Sequence, residues 1–261
     1  MKTKDIYRSA IVLGVIIVLG VALHLFRIGY PDRPVFDEAH FATYAADYAT
    51  GHPFEDIHPP LGKFIFASAL FFYPKSDLVG AQFINTTTTA QGNISMALND
   101  IPYGNFPYVA LRVTSAIFGI LLAIALYYLM KNIGAGEVAA FLAALFILFD
   151  NAFLMVSRLI LMDAMFMTFA IAGLAFYFAK RRRPIIAGIL WGLALSVKLT
   201  AIIFLGPVLV GYFFVTVAGR REELGSIIRF AAAGFAILIL VALAGTLVFS
   251  PAERLDRKSV V

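Results

Sequence analysis

Apolar runs of about twenty residues recur along this sequence, and they restrict the possible folds more than any other feature. A helix that crosses a bilayer needs roughly 20 predominantly apolar residues. The composition agrees, since 61% of the residues are hydrophobic, only 14% are charged and the mean hydropathy is +0.87. We therefore predict an all-α polytopic membrane protein with about seven spanning helices, and not a soluble domain. The predicted spans are residues 9–25, 106–130, 138–153, 159–179, two within 184–217, and 227–249.

Basic residues cluster on one side of these predicted spans. Lys2, Lys4 and Arg8 precede the first run, and the segment KRRR at 180–183 follows the fourth. Because cytoplasmic loops carry an excess of Lys and Arg, we place the N-terminus in the cytoplasm and the connection after the first helix outside. The net charge of +5 is then explained by topology, and we expect no nucleic-acid partner.

The first external loop has an unusual composition for a membrane protein. Residues 32–63, DRPVFDEAHFATYAADYATGHPFEDIHPPLGK, hold six of the sixteen acidic residues and three of the four histidines. Within and after this stretch we predict a short amphipathic helix at the membrane surface at 41–49, a short interfacial or re-entrant helix at 61–73, and then a long polar external loop at 75–105. A simple turn outside a membrane does not need this concentration of ionisable groups, so we interpret the loop as an active-site loop.

Two motifs in this loop carry the chemistry. The adjacent carboxylates Asp37 and Glu38 follow the first helix, and a carboxylate there can accept a proton from a hydroxyl nucleophile. His58 can donate to a phosphate or orient a carboxylate, and Pro59 and Pro60 fix the chain where it enters the next helix. The alternative is that the acids and the histidine are solvated and inert, and that the prolines merely start a helix.

The two motifs together, FDEAHF followed some twenty residues later by HPPLGK, resemble the protein O-mannosyltransferases of the GT-C superfamily. The resemblance continues through ALRVTSAIFG at 110–119, NAFLMVSRLILMDAMF at 151–166 and GLALSVKLT at 192–200. These blocks cover essentially the whole chain, which is similar to the N-terminal portion of a prokaryotic member. Leu199 departs from the family pattern, which usually has Trp or a similar residue after this lysine.

The resemblance implies a GT-C membrane enzyme that moves mannose from a polyprenyl-phosphate donor to Ser or Thr hydroxyls of exported proteins, with inversion. It places the protein in the cell (plasma) membrane, with an extracytoplasmic active site and the possibility of an oligomer. By match of motif, Asp37 is the catalytic base and Glu38 its neighbour, which positions the acceptor or shares polar contacts. His58 supports the same site.

Four further ionisable residues lie inside or beside the apolar runs. Arg112, Arg158 and Lys198 are all predicted near the external face, where they suit the phosphate of a lipid-linked donor. The alternative is that they snorkel to the interface. The side chain of Asp163 is too short to snorkel, so we expect it to pair with Arg158 or another cation and to hold the site together.

Other functions remain open from the sequence. One is a GT-C transferase with a different lipid-linked sugar or a lipid acceptor. Another is a non-enzymatic transporter or assembly subunit, although the sequence shows neither internal repeats nor charges at the bilayer midplane. We expect no cofactor and assign no metal site. A divalent cation at Asp37, Glu38 and His58 is conceivable, but their spacing is not a known ligand motif.

The expected domain organisation is one GT-C transmembrane catalytic module at 1–255 that lacks the later helices of the family. The last six residues, DRKSVV at 256–261, match the translation of a common sequencing adapter in one reading frame, so we expect a non-native tail there. The alternative is a short charged tail of the natural protein.

Overall fold

A computed structural model of the chain describes residues 3–52, 56–79, 81, 83–88, 94–98, 101–203 and 224–256. The helices are α1 (Thr3–Leu25), α2 (Glu38–Thr50), α3 (Leu61–Leu70), α4 (Tyr108–Asn132), α5 (Glu137–Phe149), α6 (Asn151–Arg158), α7 (Asp163–Tyr177), α8 (Pro184–Val197) and α9 (Leu224–Asp256). Short 3₁₀ turns lie at Lys75–Asp77 and Leu199–Ala201.

The described residues contain three helices that are long and apolar enough to cross a membrane: Ile6–Leu25, Tyr108–Asn132 and Gly225–Gly245. α5 and α6 form a fourth candidate together, although they are bent by 61°. The apolar helices α3, α7 and α8 are shorter, with 10, 15 and 14 residues. The membrane class is therefore confirmed, whereas the seven predicted spans are not. Part of the predicted pair within 184–217 and most of the predicted tail lie outside the described residues.

Two local features explain the shorter helices. Asp150 has an extended backbone, and its carboxylate accepts a hydrogen bond from the N–H of Phe153, so it ends α5 and caps the start of α6. The predicted span at 159–179 begins only at Asp163, because the chain before it is not helical. There the N–H of Ile160 donates to Glu38 instead of to a helical carbonyl, at 2.8 Å.

α8 and α9 are parallel and pack backbone to backbone through glycines. A Cβ atom on Gly188 would lie 2.2 Å from the carbonyl oxygen of Phe230, and one on Gly192 would lie 2.5 Å from that of Gly234. Small residues permit such close approach of membrane helices. α4 also packs on α7, and α7 packs on α8. Asp163 at the start of α7 and Lys198 just after α8 lie at one end of this bundle. Residues 180–183, which connect α7 to α8, lie at the opposite end.

The first loop folds over the Asp163 end of the bundle. The predicted short helices at 41–49 and 61–73 are present as α2 and α3, and both are packed by their apolar faces. One feature was not predicted: a small antiparallel hairpin within 75–105, formed by β1 (Ile84–Thr88) and β2 (Ile94–Leu98). Its β-branched isoleucines and threonines favour strands, so the all-α description needs this addition.

Candidate active site

Glu38 and Arg112 form an ion pair that is completely buried at the base of the first loop. Arg112 Nε donates to Glu38 Oε1 and Arg112 Nη2 donates to Glu38 Oε2, both at 2.8 Å, and neither side chain has solvent exposure. The carboxylate also accepts from the backbone N–H groups of Val35 at 2.9 Å and Ile160 at 2.8 Å. Glu38 therefore joins α2 to α4 and to the segment before α7.

Arg112 also holds the connection between α1 and α2. Its Nη1 donates to the carbonyl oxygens of Ile28 at 3.1 Å and Pro31 at 2.7 Å, and its Nη2 donates to that of Arg33 at 3.3 Å. Its guanidinium carbon lies 5.0 Å from the ring centroid of Tyr108. The sequence predicted that Arg112 would contact the phosphate of the donor. In the structure its N–H groups donate to acceptors of the protein itself.

Asp37 has a different environment, although it precedes Glu38 directly. Phe36 adopts a φ of +55°, which is strained for a bulky residue and turns the chain immediately before Asp37. Asp37 is half-buried and occupies the N-cap of α2, yet its side chain makes no capping hydrogen bond. The carboxylate therefore lies at the start of α2 without a hydrogen bond to the helix that it precedes.

A pocket of 290 Å³ opens beside Asp37. It brings the carboxylate together with His58 and Asp56 from the far end of the loop. The remaining lining residues are His40, Phe41, Tyr44 and Ile57. Asp37 and His58 therefore line one cavity, whereas Pro59 and Pro60 do not line it.

Lys63 of α3 contacts two residues that line the pocket, Asp56 and His58. Its side chain is only 2% exposed, and its Nζ donates to the Asp56 carboxylate and, at 2.7 Å, to the carbonyl oxygen of His58. Pro60 is the N-cap residue of α3, and its carbonyl oxygen accepts the N–H of Phe64 at 3.0 Å. Lys63 and the prolines thus fix where α3 starts and how His58 is presented.

The ring of His58 lies among opposing charges. Burial lowers the pKa of His58, the positive charges of Lys198 and Lys63 lower it further, and Asp56 and Asp163 oppose this lowering. Because the ordinary pKa of histidine is about 6.5, a lowered value leaves the imidazole neutral at neutral pH. It can then donate one hydrogen bond and accept another.

Lys198 and Asp163 pair at the same end of the bundle. Lys198 Nζ donates to Asp163 Oδ1 at 2.9 Å, and the two side chains retain 22% and 25% of their exposure. Asp163 therefore pairs with a cation, as the sequence predicted, and that cation is Lys198. The ion pair lies beside the start of α3, because the chain neighbours of its two members, Met162 and Val197, both pack against Gly62.

Arg158 is not brought to the Asp37 pocket. It lines a separate cavity of 320 Å³ that shares no lining residue with the first, together with Ile28, Tyr30, Asn151, Leu154, Met155 and Leu159. Its Nη2 donates to the carbonyl oxygen of Phe26, whereas its Nε is buried without a hydrogen-bond partner. Arg158 therefore belongs to a second polar site beside the α1–α2 connection.

Sequence reasoning missed Lys63, Asp56, His40 and Tyr44 as members of this region. A signal for Lys63 was present, because a lysine three residues into an apolar helix is costly without a partner. No such signal marked Asp56, whose partner is known only after folding. Among the residues that the structure describes, no cluster of three or more His, Cys, Asp or Glu side chains could hold a metal ion.

Comparisons with known proteins match this architecture. The chain is 27% identical to dolichyl-phosphate-mannose–protein mannosyltransferase 1 of Saccharomyces cerevisiae over 268 aligned residues, which cover 95% of this chain and 30% of that protein. It is 30% identical to mannosyltransferase 4 of Candida albicans over 163 residues, or 60% of this chain and 19% of that protein. The chain thus spans less than a third of the length of these relatives.

A solved structure has a similar fold. The S. cerevisiae protein O-mannosyltransferase Pmt1-Pmt2 complex bound to the sugar donor matches with a TM-score of 0.66 and 24% identity, over 94% of this chain and 33% of that chain. The profile of the family described as dolichyl-phosphate-mannose-protein mannosyltransferase matches residues 14–254. With its glycine-packed helix bundle and its loop carrying Asp37, this chain therefore belongs to the dolichyl-phosphate-mannose–protein mannosyltransferase family.

Proposed function

We propose that this chain carries the catalytic loop of a membrane glycosyltransferase that moves mannose from a polyprenyl-phosphate donor to Ser or Thr hydroxyls of exported proteins. The observation that carries the proposal is the contrast between the adjacent carboxylates. The carboxylate of Glu38 accepts hydrogen bonds from Arg112 and from two backbone N–H groups. Asp37, in contrast, lines a pocket and makes no capping hydrogen bond. Of the two, Asp37 is the one available to a substrate.

In the proposed reaction Asp37 acts as general base. Its carboxylate takes the proton of the acceptor hydroxyl while the hydroxyl oxygen forms a bond to the anomeric carbon of the mannose. The bond between that carbon and the phosphate oxygen breaks, and the polyprenyl phosphate leaves with the bonding electrons. Attack opposite the leaving group inverts the anomeric configuration. No co-reactant is required, since the proton rests on Asp37 until it passes to solvent.

The surrounding residues have supporting roles in this proposal. Lys198 retains part of its exposure, and as an ammonium group it suits a point contact to the leaving phosphate. Neutral His58 can donate a hydrogen bond to the same phosphate or to the acceptor. Glu38 and Arg112 position Asp37 by holding the start of α2. Arg158 lies in the second cavity, where it suits a lipid phosphate farther from the reacting carbon.

The protein is a multi-pass membrane protein, and we propose an orientation with the N-terminus in the cytoplasm and the Asp37 pocket outside, in the plasma membrane. The distribution of charge supports this orientation. The basic residues 180–183 follow α7 at the end of the bundle opposite Asp163, and cytoplasmic ends carry such basic clusters. Because the similar solved structure is a complex of two proteins, Pmt1 and Pmt2, we also propose that this chain acts in an oligomer.

The proposal is tested with membranes that contain the protein, labelled polyprenyl-phosphate mannose and an acceptor peptide. We expect labelled peptide from the wild type and a loss of roughly 10²–10⁴-fold in Asp37→Asn, which keeps the shape but removes the base. Asp32→Asn is the matched control, since Asp32 is an exposed acid of the same loop. Wild-type rates in Asp37→Asn would exclude Asp37 as the base. Transfer from a glucose or aminosugar donor instead would change the donor class.

A further inference from the structure

A third cavity, larger than the Asp37 pocket and the Arg158 cavity, lies in the membrane-embedded part of the bundle, at the end away from Asp37. It has a volume of 590 Å³ and runs between α4 and α7, with Leu190 of α8 at its back. On α4 its wall extends from Phe118 to Asn132, a distance of roughly 21 Å along the helix axis. One leaflet of the hydrocarbon core is about 15 Å thick, so the groove follows the length of one lipid chain.

The side chains that line this groove divide into an apolar part and a basic end. Most of the wall is aliphatic or aromatic, and Leu121, Tyr128 and Phe176 at its edge are 42%, 45% and 41% exposed. Arg181 and Arg183 also line it, and both lie in the basic segment that follows α7. The apolar groove ends at two guanidinium groups, and it is therefore complementary to a molecule with a hydrocarbon chain and an anionic head.

The polar contacts of the groove also fix its shape. Asn132 Nδ2 donates to the carbonyl oxygen of Ala175 at 2.7 Å, and Thr168 Oγ1 donates to that of Phe118 at 2.7 Å. Both bonds join α4 to α7, so the spacing of the two walls does not depend on a ligand. The groove is therefore preformed, which lowers the cost of binding.

We propose that this groove binds an anionic phospholipid of the leaflet that contains Arg181 and Arg183, with one acyl chain between α4 and α7. Basic pockets between membrane helices bind anionic head groups, and arginine forms paired hydrogen bonds with phosphate oxygens. A transmembrane helix of a second copy would cover the apolar wall but would leave the two arginines without an anion. The charge at the end of the groove thus favours the lipid.

This site is independent of the proposed transfer reaction. The Asp37 pocket lies at the Asp163 end of the bundle, whereas Arg181 and Arg183 lie beyond the opposite end of α7. The groove and the Asp37 pocket share no lining residue. A lipid in the groove would brace α7, whose other end carries Asp163.

The test is native mass spectrometry of the purified protein in detergent, with phosphatidylglycerol and phosphatidylcholine added at equal concentration. We expect retention of phosphatidylglycerol in preference to phosphatidylcholine, and a roughly thirtyfold loss of this preference in Arg181→Ala/Arg183→Ala. Lys180→Ala/Arg229→Ala removes the same charge from the same end of the bundle without touching the groove, and we expect it to keep the preference. Ala172→Phe, which narrows the groove, should reduce the retention of phosphatidylglycerol.

Three outcomes would overturn the proposal. The first is equal retention of phosphatidylglycerol in Arg181→Ala/Arg183→Ala and in the wild type. The second is retention of both phospholipids to the same extent by the wild type. The third is displacement of phosphatidylglycerol by an equal amount of polyprenyl monophosphate, which would assign the groove to the carrier lipid instead. Circular dichroism of each variant confirms that the helices are intact.

Discussion

Asp37 and Glu38 are adjacent in the chain and have opposite surroundings. Glu38 has no exposure, pairs with the equally buried Arg112 and accepts two backbone N–H groups. Asp37 faces a pocket that it shares with His58 and makes no capping bond. The comparison shows how one dipeptide can supply a structural anchor and a chemical group, because Glu38 in the first turn of α2 contacts α4, whereas Asp37 at the N-cap lines the pocket. The anchor holds the reactive group in position.

The largest effect on stability is expected from breaking the anchor. Glu38→Leu leaves the Arg112 guanidinium buried without its carboxylate, which costs about 3–5 kcal/mol. Thermal unfolding in detergent, followed by circular dichroism, measures this loss. The double variant Glu38→Leu/Arg112→Met removes both charges and should lose less than the sum of the two single variants. Strict additivity would mean that the pair is not coupled.

A somewhat smaller effect is expected from the pair beneath the pocket. Lys63→Met leaves the nearly buried Asp56 carboxylate without its ammonium partner, and we expect a loss of about 2–3 kcal/mol in the free energy of unfolding. Transfer activity should also fall, because Lys63 presents His58 to the pocket. Lys75→Met, which replaces an exposed lysine in the 3₁₀ turn after α3, is the control. An unchanged melting temperature in Lys63→Met would show that the Asp56 carboxylate is satisfied in another way.

A third carboxylate of α2 sharpens the comparison, because Asp47 is buried without a guanidinium partner. Burial raises the pKa of Asp47 from 3.8 to about 6, and His52, 4.0 Å away, opposes this rise. Between these pH values the folded protein holds a proton that the unfolded chain releases. The contribution of Asp47 to the free energy of unfolding therefore falls as the pH rises from 3.8 to about 6, and it remains lower above that range.

Asp47→Asn should remove this dependence and stabilise the protein at pH 7 by about 1–3 kcal/mol. At pH 4, where Asp47 is largely neutral in the folded protein, the variant and the wild type should differ little. Melting temperatures measured at intervals from pH 4 to pH 7 separate the two curves. Parallel curves across this range would contradict the raised pKa.

The smallest effect on stability is expected at Asp37 itself. Asp37→Asn removes no capping bond and leaves no buried partner, so its melting temperature should correspond to a change within about 0.5 kcal/mol. Its activity is nevertheless expected to be lost. If Asp37→Asn unfolded as readily as Glu38→Leu, the division between anchor and reactive group would be wrong.

Much of the fold could be predicted from the sequence because hydrophobicity and charge act locally. The apolar runs determined the membrane class, and the composition of residues 32–63 marked the functional loop and its two short helices. The positions of helix ends were less predictable. Asp150 ends α5 before the end of the predicted span 138–153 and starts α6, which continues beyond that span. The bond from Ile160 to Glu38 delays the start of α7. Both effects depend on hydrogen bonds that hydropathy does not measure.

The sequence by itself determined that ionisable groups would gather at one end of a helix bundle, since charges are excluded from hydrocarbon. Only the tertiary structure decided which of them meet. Arg112 lies 74 residues from Glu38 in the chain and forms an ion pair with it. Asp163 forms its ion pair with Lys198 and not with Arg158. Arg158 lines a different cavity. Each choice depends on how α4, α7 and α8 pack, because an ion pair forms between side chains that the packing brings within a few ångströms. The packing also leaves Asp37 free to face the pocket.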